Sequence, residues 1–400
     1  MVIRRVVLRQ FRSYERATLE LEPGLTLLVG PNGIGKTNLL EAIHFAATGR
    51  SPRTSRDADL IRNGEPVCYV RVEWDDPVAG RRAVEMAYHR EQGKALRLDG
   101  RKRRRVADLH GALPVVYFAP ESLALVKAGP AARRDYLDRL LVQVVPGYGP
   151  LLHDYQRVLA QRNQLLREIR AGRAAASLLA IWDEPLLRHG TALRRHRQAL
   201  LDELAPLVAA AAARVEAGGA VGPGEVKLGY LAGDGPGDAA HEPGREEPSG
   251  APEEAGDPGQ RAAGVPPSLA AWHREEIARG TTLWGPQRDD FAILLDGRDA
   301  RAFASQGQQR ALALALTLAE VHLIHRRLGR WPVLLLDDVL SELDARRRRH
   351  LLETVAGLPQ VIVTATDEPA WPEGMTPRVV PLPLPAAGRP GAAAPRGVGP

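Results

Sequence analysis

An α/β fold interrupted by a helical insertion is the architecture this sequence predicts, from three observations. Strand-like segments fill residues 1–29 and lead into the glycine-rich stretch "GPNGIGKT", which a helical pattern follows. Residues 130–216 carry apolar residues three and four apart, the spacing of one helix face. Past residue 290 strands return, and two of them, in "RWPVLLLDDVLSELD" and "QVIVTATD", are apolar runs of the kind buried in a sheet.

In chain order, "VIRRVVLRQF", "ATLELE" and "GLTLLV" read as strands between turn residues. "TNLLEAIHFAATG" is helical and stops on glycine. "VCYVRVEW", "RAVEMAYHR" and "KALRLDGRKRRRV" return to alternation, the last turning at Asp99–Gly100, a hairpin pair tolerant of positive φ. "LPVVYFAPESLALV" is a buried strand leading out of this unit. "ARRDYLDRLLVQVV", "LLHDYQRVLAQRNQLLREIRAG" and the segment from "LLAIWDEP" to "AAAARV" form a helical arm. Its longest helix, about 35 residues, would span roughly 50 Å. Residues 217–267 hold too few apolar groups to offset ordering entropy and are expected to be a disordered linker. Strands resume in "FAILLDGRDARAFAS" around a second turn at Asp296–Gly297. The alanine-, glycine- and proline-rich tail, 386–400, is expected to be disordered. The predicted division is a head of residues 1–120 and 280–382, with a helical lobe, 121–279, set into it.

Composition bounds the function. A chain of 400 residues, 44% hydrophobic, is long enough for two folded units. The formal charge of +6 permits an anionic partner, but the arginine excess matches a GC-rich coding bias, so charge alone argues for nothing more. One cysteine, Cys68, excludes an internal disulfide framework and a cysteine zinc site. With no signal-peptide core and no run of about 18 apolar residues, a soluble cytoplasmic protein without membrane contact is expected.

The chemistry centres on Gly30–Thr37, which fits G-x-x-x-x-G-K-[ST] between a strand and a helix. Glycines let the amides of Gly30, Pro31, Asn32, Gly33, Ile34 and Gly35 wrap phosphate oxygens (Pro31 itself contributes no N–H), and the helix start adds partial positive charge. Lys36 would reach the outer phosphates, Thr37 would ligate Mg²⁺, and Asn38 completes the nucleotide-binding stretch. A glycine-rich turn with an incidental lysine is the bland alternative, and the strand-loop-helix order speaks against it. In "VLLLDD" a buried strand ends in two carboxylates. Asp337 is placed to hold the metal. Asp338 is placed to orient water, as general base or by polarising it without taking its proton.

A phosphate loop alone fits many ATPases and GTPases, and no NKxD or TKxD guanine-reading motif occurs. "SQGQQR", Ser305–Arg310, resembles the signature loop of the ABC ATPase superfamily, and "SELD", with Ser341 and Asp344, resembles its D-loop. That resemblance implies that Ser305, Gln306, Gly307 and Gln308 meet the γ-phosphate held by a second protomer. Thr366 stands where the switch histidine usually does, a departure that bears on fast hydrolysis. Read without its neighbours, "SQGQQR" is an ordinary polar helix cap.

Most of the chain separates Lys36 from Ser305, whereas in transporter ATPases the two stand closer. The helical arm between them resembles the SMC-like branch, and its shortness, with no zinc hook, resembles the RecF family of recombination mediators. The carrying stretches run "RQFRSYERATLELEPGLTLLVGPNGIGKTNLLEAI", "VVYFAPESLALVKAGPAARRDYLD", "GPQRDDF", "SQGQQRALALAL" and "LLLDDVLSELD". In the third, Gln287 replaces a usual histidine, and no Q-loop glutamine is identified near "FAPES". The implied fold is an ABC/SMC-type P-loop ATPase head with an inserted helical lobe. The implied function is weak DNA-stimulated ATP hydrolysis, an ATP-dependent homodimer, and binding of duplex DNA near single-strand gaps. Cooperation with RecR and RecO in loading RecA is implied as well, with roles in replication, recombination and the SOS response. For DNA, "RKRRR" offers Lys102, Arg103, Arg104 and Arg105, weighed against a solvated basic hairpin, and "RRRRH" at 346–350 offers a second patch. No aromatic interleaving marks a stacking platform for single strands. The alternatives are an ATP-binding subunit of a membrane transporter and a structural ATP clamp with negligible hydrolysis.

Overall fold

A computed structural model describes residues 1–109, 111–217, 224–233, 272–369 and 371–384. The described residues group into two compact units, one of 1–109, 111–122, 217, 320–369 and 371–384, the other of 123–216, 224–233 and 272–319.

In the first unit an antiparallel sheet is built from β1 (Val2–Phe11), β2 (Tyr14–Glu20), β4 (Val67–Asp76), β5 (Gly80–His89), β6 (Gly93–Leu98) and β7 (Arg101–Arg103), in the order β2-β1-β4-β5-β6-β7. Strand β4 buries every second residue, from Cys68 to Asp76, because the pleat turns alternate side chains to the core. At the β6–β7 hairpin Asp99 and Gly100 both take positive φ, 52° and 75°, as the Asp–Gly pair predicts. A parallel sheet takes β3 (Gly24–Val29), β8 (Val115–Phe118), β12 (Val333–Leu336), β13 (Gln360–Ala365) and β14 (Arg378–Pro381) in the order β14-β3-β13-β12-β8. Helix α1 (Lys36–Thr48) lies in one core with both sheets, burying Leu39, Leu40, Ile43 and Phe45 beside Val70 and Trp74 of the first and Leu335 and Ile362 of the second. Strands β3 and β12 end on the same side of the parallel sheet, where ligands of α/β proteins bind.

The second unit holds α2 (Ala124–Lys127), α3 (Pro130–Val144), α4 (Tyr148–Arg170), α5 (Ala180–Ala217) and α6 (His273–Arg279). It also contains the sheet β11-β10-β9, made by β9 (Val226–Leu231), β10 (Asp290–Leu295) and β11 (Arg298–Asp299), followed by α7 (Ala300–Phe303). Helix α8 (Gln306–Leu328) begins here, and the division falls inside it at 319/320. Helix α9 (Ala345–Val355) belongs to the first unit.

Two expectations change. Residues 280–319, assigned from sequence to the head, pack with the helical unit, because β10 pairs with β9 and the loop before it is held by helical arginines. The segment 217–267 is not linker throughout: Val226, Leu228 and Tyr230 alternate and pair with β10. The glycines and prolines on either side masked that short period. The rest of that segment, apart from 217 and 224–233, and the tail 386–400 lie outside the described residues.

The helical arginines show what "GPQRDDF" does. Arg133 grips Asp290 with two bonds, 2.7 and 2.6 Å, and Arg194 grips Asp289 at 2.9 and 2.7 Å, all four groups buried. Arg197 donates to Pro286 O at 2.6 Å, and Gln287 accepts from Tyr155 while donating to Trp284 O. A loop between helix and strand leaves its polar groups unpaired when buried; here the helices satisfy them. Arg133 is therefore a structural cation.

Candidate phosphate-loop site

The loop Gly30–Thr37 leaves β3 and enters α1 with Gly33 and Gly35 at φ 80° and 110°, angles that only glycine takes cheaply. A Cβ on Gly35 would lie 2.8 Å from both Ser13 Oγ and the Tyr14 hydroxyl, so the segment after β1 walls the loop closely. No side chain caps α1. Lys36 is buried and its Nζ donates to Gly30 O at 2.5 Å and Pro31 O at 3.1 Å, which places an ammonium inside the loop's curl.

At the end of β12, Asp337 is 3% exposed and carries three hydroxyl donors. Thr37 and Thr364 donate to its Oδ1 at 3.1 and 2.7 Å, and Tyr117 donates to Oδ2 at 3.0 Å. Burial raises the Asp337 carboxyl above its ordinary value, against the pull of those donors. Burial, then the neighbouring Asp337 charge, raises the Tyr117 phenol as well, so it stays a donor. Asp338 follows in the left-handed region at φ 51°, its N–H donating to Thr364 Oγ1 at 2.9 Å. Among the described residues its buried Oδ1 has no hydrogen-bond partner, a costly arrangement in a resting fold and one that leaves the oxygen able to accept from a bound molecule.

These residues suit a magnesium nucleotide. The Thr37 hydroxyl and Asp337 carboxylate are the hard oxygen donors that Mg²⁺ takes, and the glycine cradle is one that a Cβ would fill. Beside them Arg12, itself at φ 52°, makes two bonds to the fully buried Glu41 at 2.9 and 2.6 Å, and Ser51 donates to Glu41 at 2.6 Å. Asn38 donates to Ser13 Oγ at 2.9 Å and accepts from Arg53 at 3.3 Å.

In the second unit, Ser305 and Gln308 form a reciprocal cap on α8. Gln308 N–H donates to Ser305 Oγ at 3.3 Å, and Ser305 N–H donates to Gln308 Oε1 at 2.8 Å. Ser305 and Gln306 are exposed, and Gly307 and Gln308 half-buried. Ser341 donates to Asp338 O at 2.8 Å, and Asp344 caps α9 by accepting from Arg347 N–H at 2.9 Å.

The family model for the RecF/RecN/SMC N terminal domain matches residues 2–377. A protein of Acidothermus cellulolyticus described as DNA replication and repair protein RecF is 41% identical, over 94% of this chain and 96% of that one. Another of the same description, from Moorella thermoacetica, is 41% identical over 91% and 90%. The chain belongs to the RecF family. Two solved structures of the recombination mediator RecF in the RecFOR pathway, with ATP and with ATPrS, superpose with TM-scores of 0.78 and 0.77 at 30% and 29% identity, over 92% of each chain. An Smc head bound to the C-winged helix domain of ScpA, at 15% identity and TM-score 0.51, shares the fold alone. The RecF-family fold is thus an ABC/SMC-type α/β ATPase head, and a transporter subunit is no longer the rival. Among the described residues no helix is long and apolar enough to cross a membrane.

The structure brings Thr37 and Asp337 into contact, with Lys36 and Asp338 next to them along the chain. Sequence reasoning missed Tyr117, Thr364 and Arg12. A threonine inside the apolar "VIVTA" and a tyrosine inside "VVYF" were the available signals, whereas the contact of Arg12 depends on a backbone angle that no pattern displays. Of the basic run, Lys102 and Arg103 lie on edge strand β7, and Arg104 and Arg105 fall in the loop beyond it, so the run is not one strand. Lys102, Arg104 and Arg105 are exposed.

Proposed function

We propose that this RecF-family chain is an ATP-binding and slowly ATP-hydrolysing protein of DNA replication and recombinational repair, and that ATP closes two copies around duplex DNA. The observation that carries the reading is the pair at the end of β12: Asp337 held by three hydroxyls, and Asp338 with a buried oxygen left open. The loop amides and Lys36 hold the triphosphate, and Thr37 with Asp337 would hold Mg²⁺, whose charge neutralises the phosphate oxygens. Asp338 orients the attacking water with its free Oδ1. The exposed helix start at Ser305–Gln308 completes the site of the second copy, where N–H groups favour an anion. Ser341 and Asp344, in the D-loop stretch, are the further residues this reading assigns to that interface. Hydrolysis then opens the clamp.

Lys102, Arg103, Arg104 and Arg105 offer DNA a sequence-independent, salt-sensitive contact. Taking the RecFOR pathway of the solved relatives as a guide, we place RecR and RecO as partners, RecA loading as the outcome and the SOS response as the setting. A clamp with negligible hydrolysis is the second reading, favoured by Thr366 in the switch position.

Sedimentation velocity of wild type and Ser305→Arg, with ATP or ADP and with or without gapped duplex, tests the clamp. Wild type alone should dimerise with ATP and retain DNA; a wild type that stays monomeric in every condition sinks the reading. Phosphate release with and without DNA separates the slow ATPase from the structural clamp.

A further inference from the structure

We propose that Phe303 is an apolar anchor between two copies of this chain, seated against the copy whose nucleotide the Ser305 helix end would meet. The inference rests on the clamp reading and adds to it a contact that carries protein-protein affinity.

Phe303 is 68% exposed, the one aromatic among the strongly exposed large apolar side chains of the described residues. It closes the short helix α7, whose start is capped by Asp299 accepting from Arg301 N–H at 3.0 Å. Gln309, on the first turn of α8, donates to Ala300 O at 3.5 Å, and Ala304 N–H donates to the same oxygen at 3.2 Å, so α7 is tied to the start of α8. The Arg298 guanidinium stands 5.9 Å from the Phe303 ring centre, leaving most of the ring to solvent. An exposed phenylalanine two residues from the helix start that the clamp reading sets against a second copy combines the features of an interface anchor. It offers large area, little side-chain entropy to lose and an arginine, Arg298, at its border. The Ser305–Gln308 end contributes phosphate affinity, which both copies lose once ATP is hydrolysed. The Phe303 contact contributes burial that does not depend on the phosphate and so sets how readily the pair forms.

The chain's single cysteine, Cys68, is buried and its thiol is pushed up to about 11, chiefly by burial. A cysteine placed at 303 is therefore the one reactive thiol among the described residues. We would measure dimerisation of full-length wild type, Phe303→Ser and Phe303→Leu with ATP, and ATP affinity of each as monomer. In parallel, Phe303→Cys carrying a benzophenone would be photolysed with ATP, with ADP and with duplex DNA. Phe303→Ser should weaken the ATP dimer by about tenfold or more with monomer ATP affinity unchanged, and Phe303→Leu should lie between. The label should join chain to chain with ATP and not with ADP. Equal dimerisation of wild type and Phe303→Ser overturns the anchor and leaves the clamp standing. A wild type that never dimerises overturns the clamp, and the anchor with it. Cross-linking to DNA in place of protein overturns the assignment and gives this surface to nucleic acid.

Discussion

The starts of α1 and α8, both glycine-bearing and both proposed to meet phosphate, are built in opposite ways. At α1 no side chain satisfies the first amides; Gly35 supplies a left-handed entry, and Ser13, Tyr14, Thr37 and Asp337 enclose the mouth. At α8 the chain caps itself through Ser305 and Gln308 and leaves the cap in solvent. The first helix start holds its donors open for a ligand that its own chain surrounds. The second is stable without any ligand, as suits a half-site that waits for another molecule. Under the proposed function the same electrostatic device would serve as a binding site in one place and as a docking edge in the other.

The largest effect should come from removing what holds the ground beneath the second helix start. Arg133→Met leaves the buried Asp290 carboxylate unpaired and should cost about 3–5 kcal/mol in urea unfolding, far more than loss of the part-exposed Arg4–Asp75 pair, about 0–1 kcal/mol. Similar losses for both would mean that Asp290 finds another partner.

Next, Lys36→Ala and Ser305→Arg should divide the two functions. The first should weaken ATP binding by about 100-fold, from the loss of charge-assisted bonds worth about 1.5–3 kcal/mol each. The second should leave monomer ATP affinity unchanged, as measured by titration with a fluorescent nucleotide. If Ser305→Arg lowers monomer affinity as much as Lys36→Ala does, the two helix starts are not separate in role.

Thr364→Val tests the wall beneath α1. Its hydroxyl bonds both Asp337 Oδ1 and Asp338 N–H, so valine leaves a buried donor without an acceptor and should cost about 1–3 kcal/mol. Hydrolysis should slow while ATP affinity holds, and Thr364→Ser should restore the rate. A purely structural threonine would show the melting shift without the change in rate.

The smallest effect is expected at the self-made cap. Gln308→Ala removes one of its two bonds and should cost about 0.5–1 kcal/mol in thermal unfolding, with ATP affinity untouched.

Much of this was legible in the sequence where a local rule applies. The period-two strands, the Asp99–Gly100 turn, the phosphate loop and the apolar strand ending in Asp337 and Asp338 depend on residues close in sequence. What escaped depended on distant ones. Strand β9 reads as linker until β10 pairs with it, since a lone short alternation between glycines carries little signal. Residues 280–319 read as head until the helical arginines claim "GPQRDDF". Gln287, with no role assigned from sequence, accepts from Tyr155.

By itself, then, the sequence determined most local conformations, the P-loop with its lysine and threonine, and the family resemblance, because these follow from near-neighbour sterics, periodicity, and short motifs in a fixed order along the chain. Only the tertiary structure decided which hydroxyls surround Asp337, why Asp338 keeps an open oxygen, and that Phe303 remains in solvent. Those facts arise where β3, β8, β12 and β13 come side by side, or where packing leaves a ring uncovered. Burial and partnership belong to the assembled chain, and no segment carries them alone.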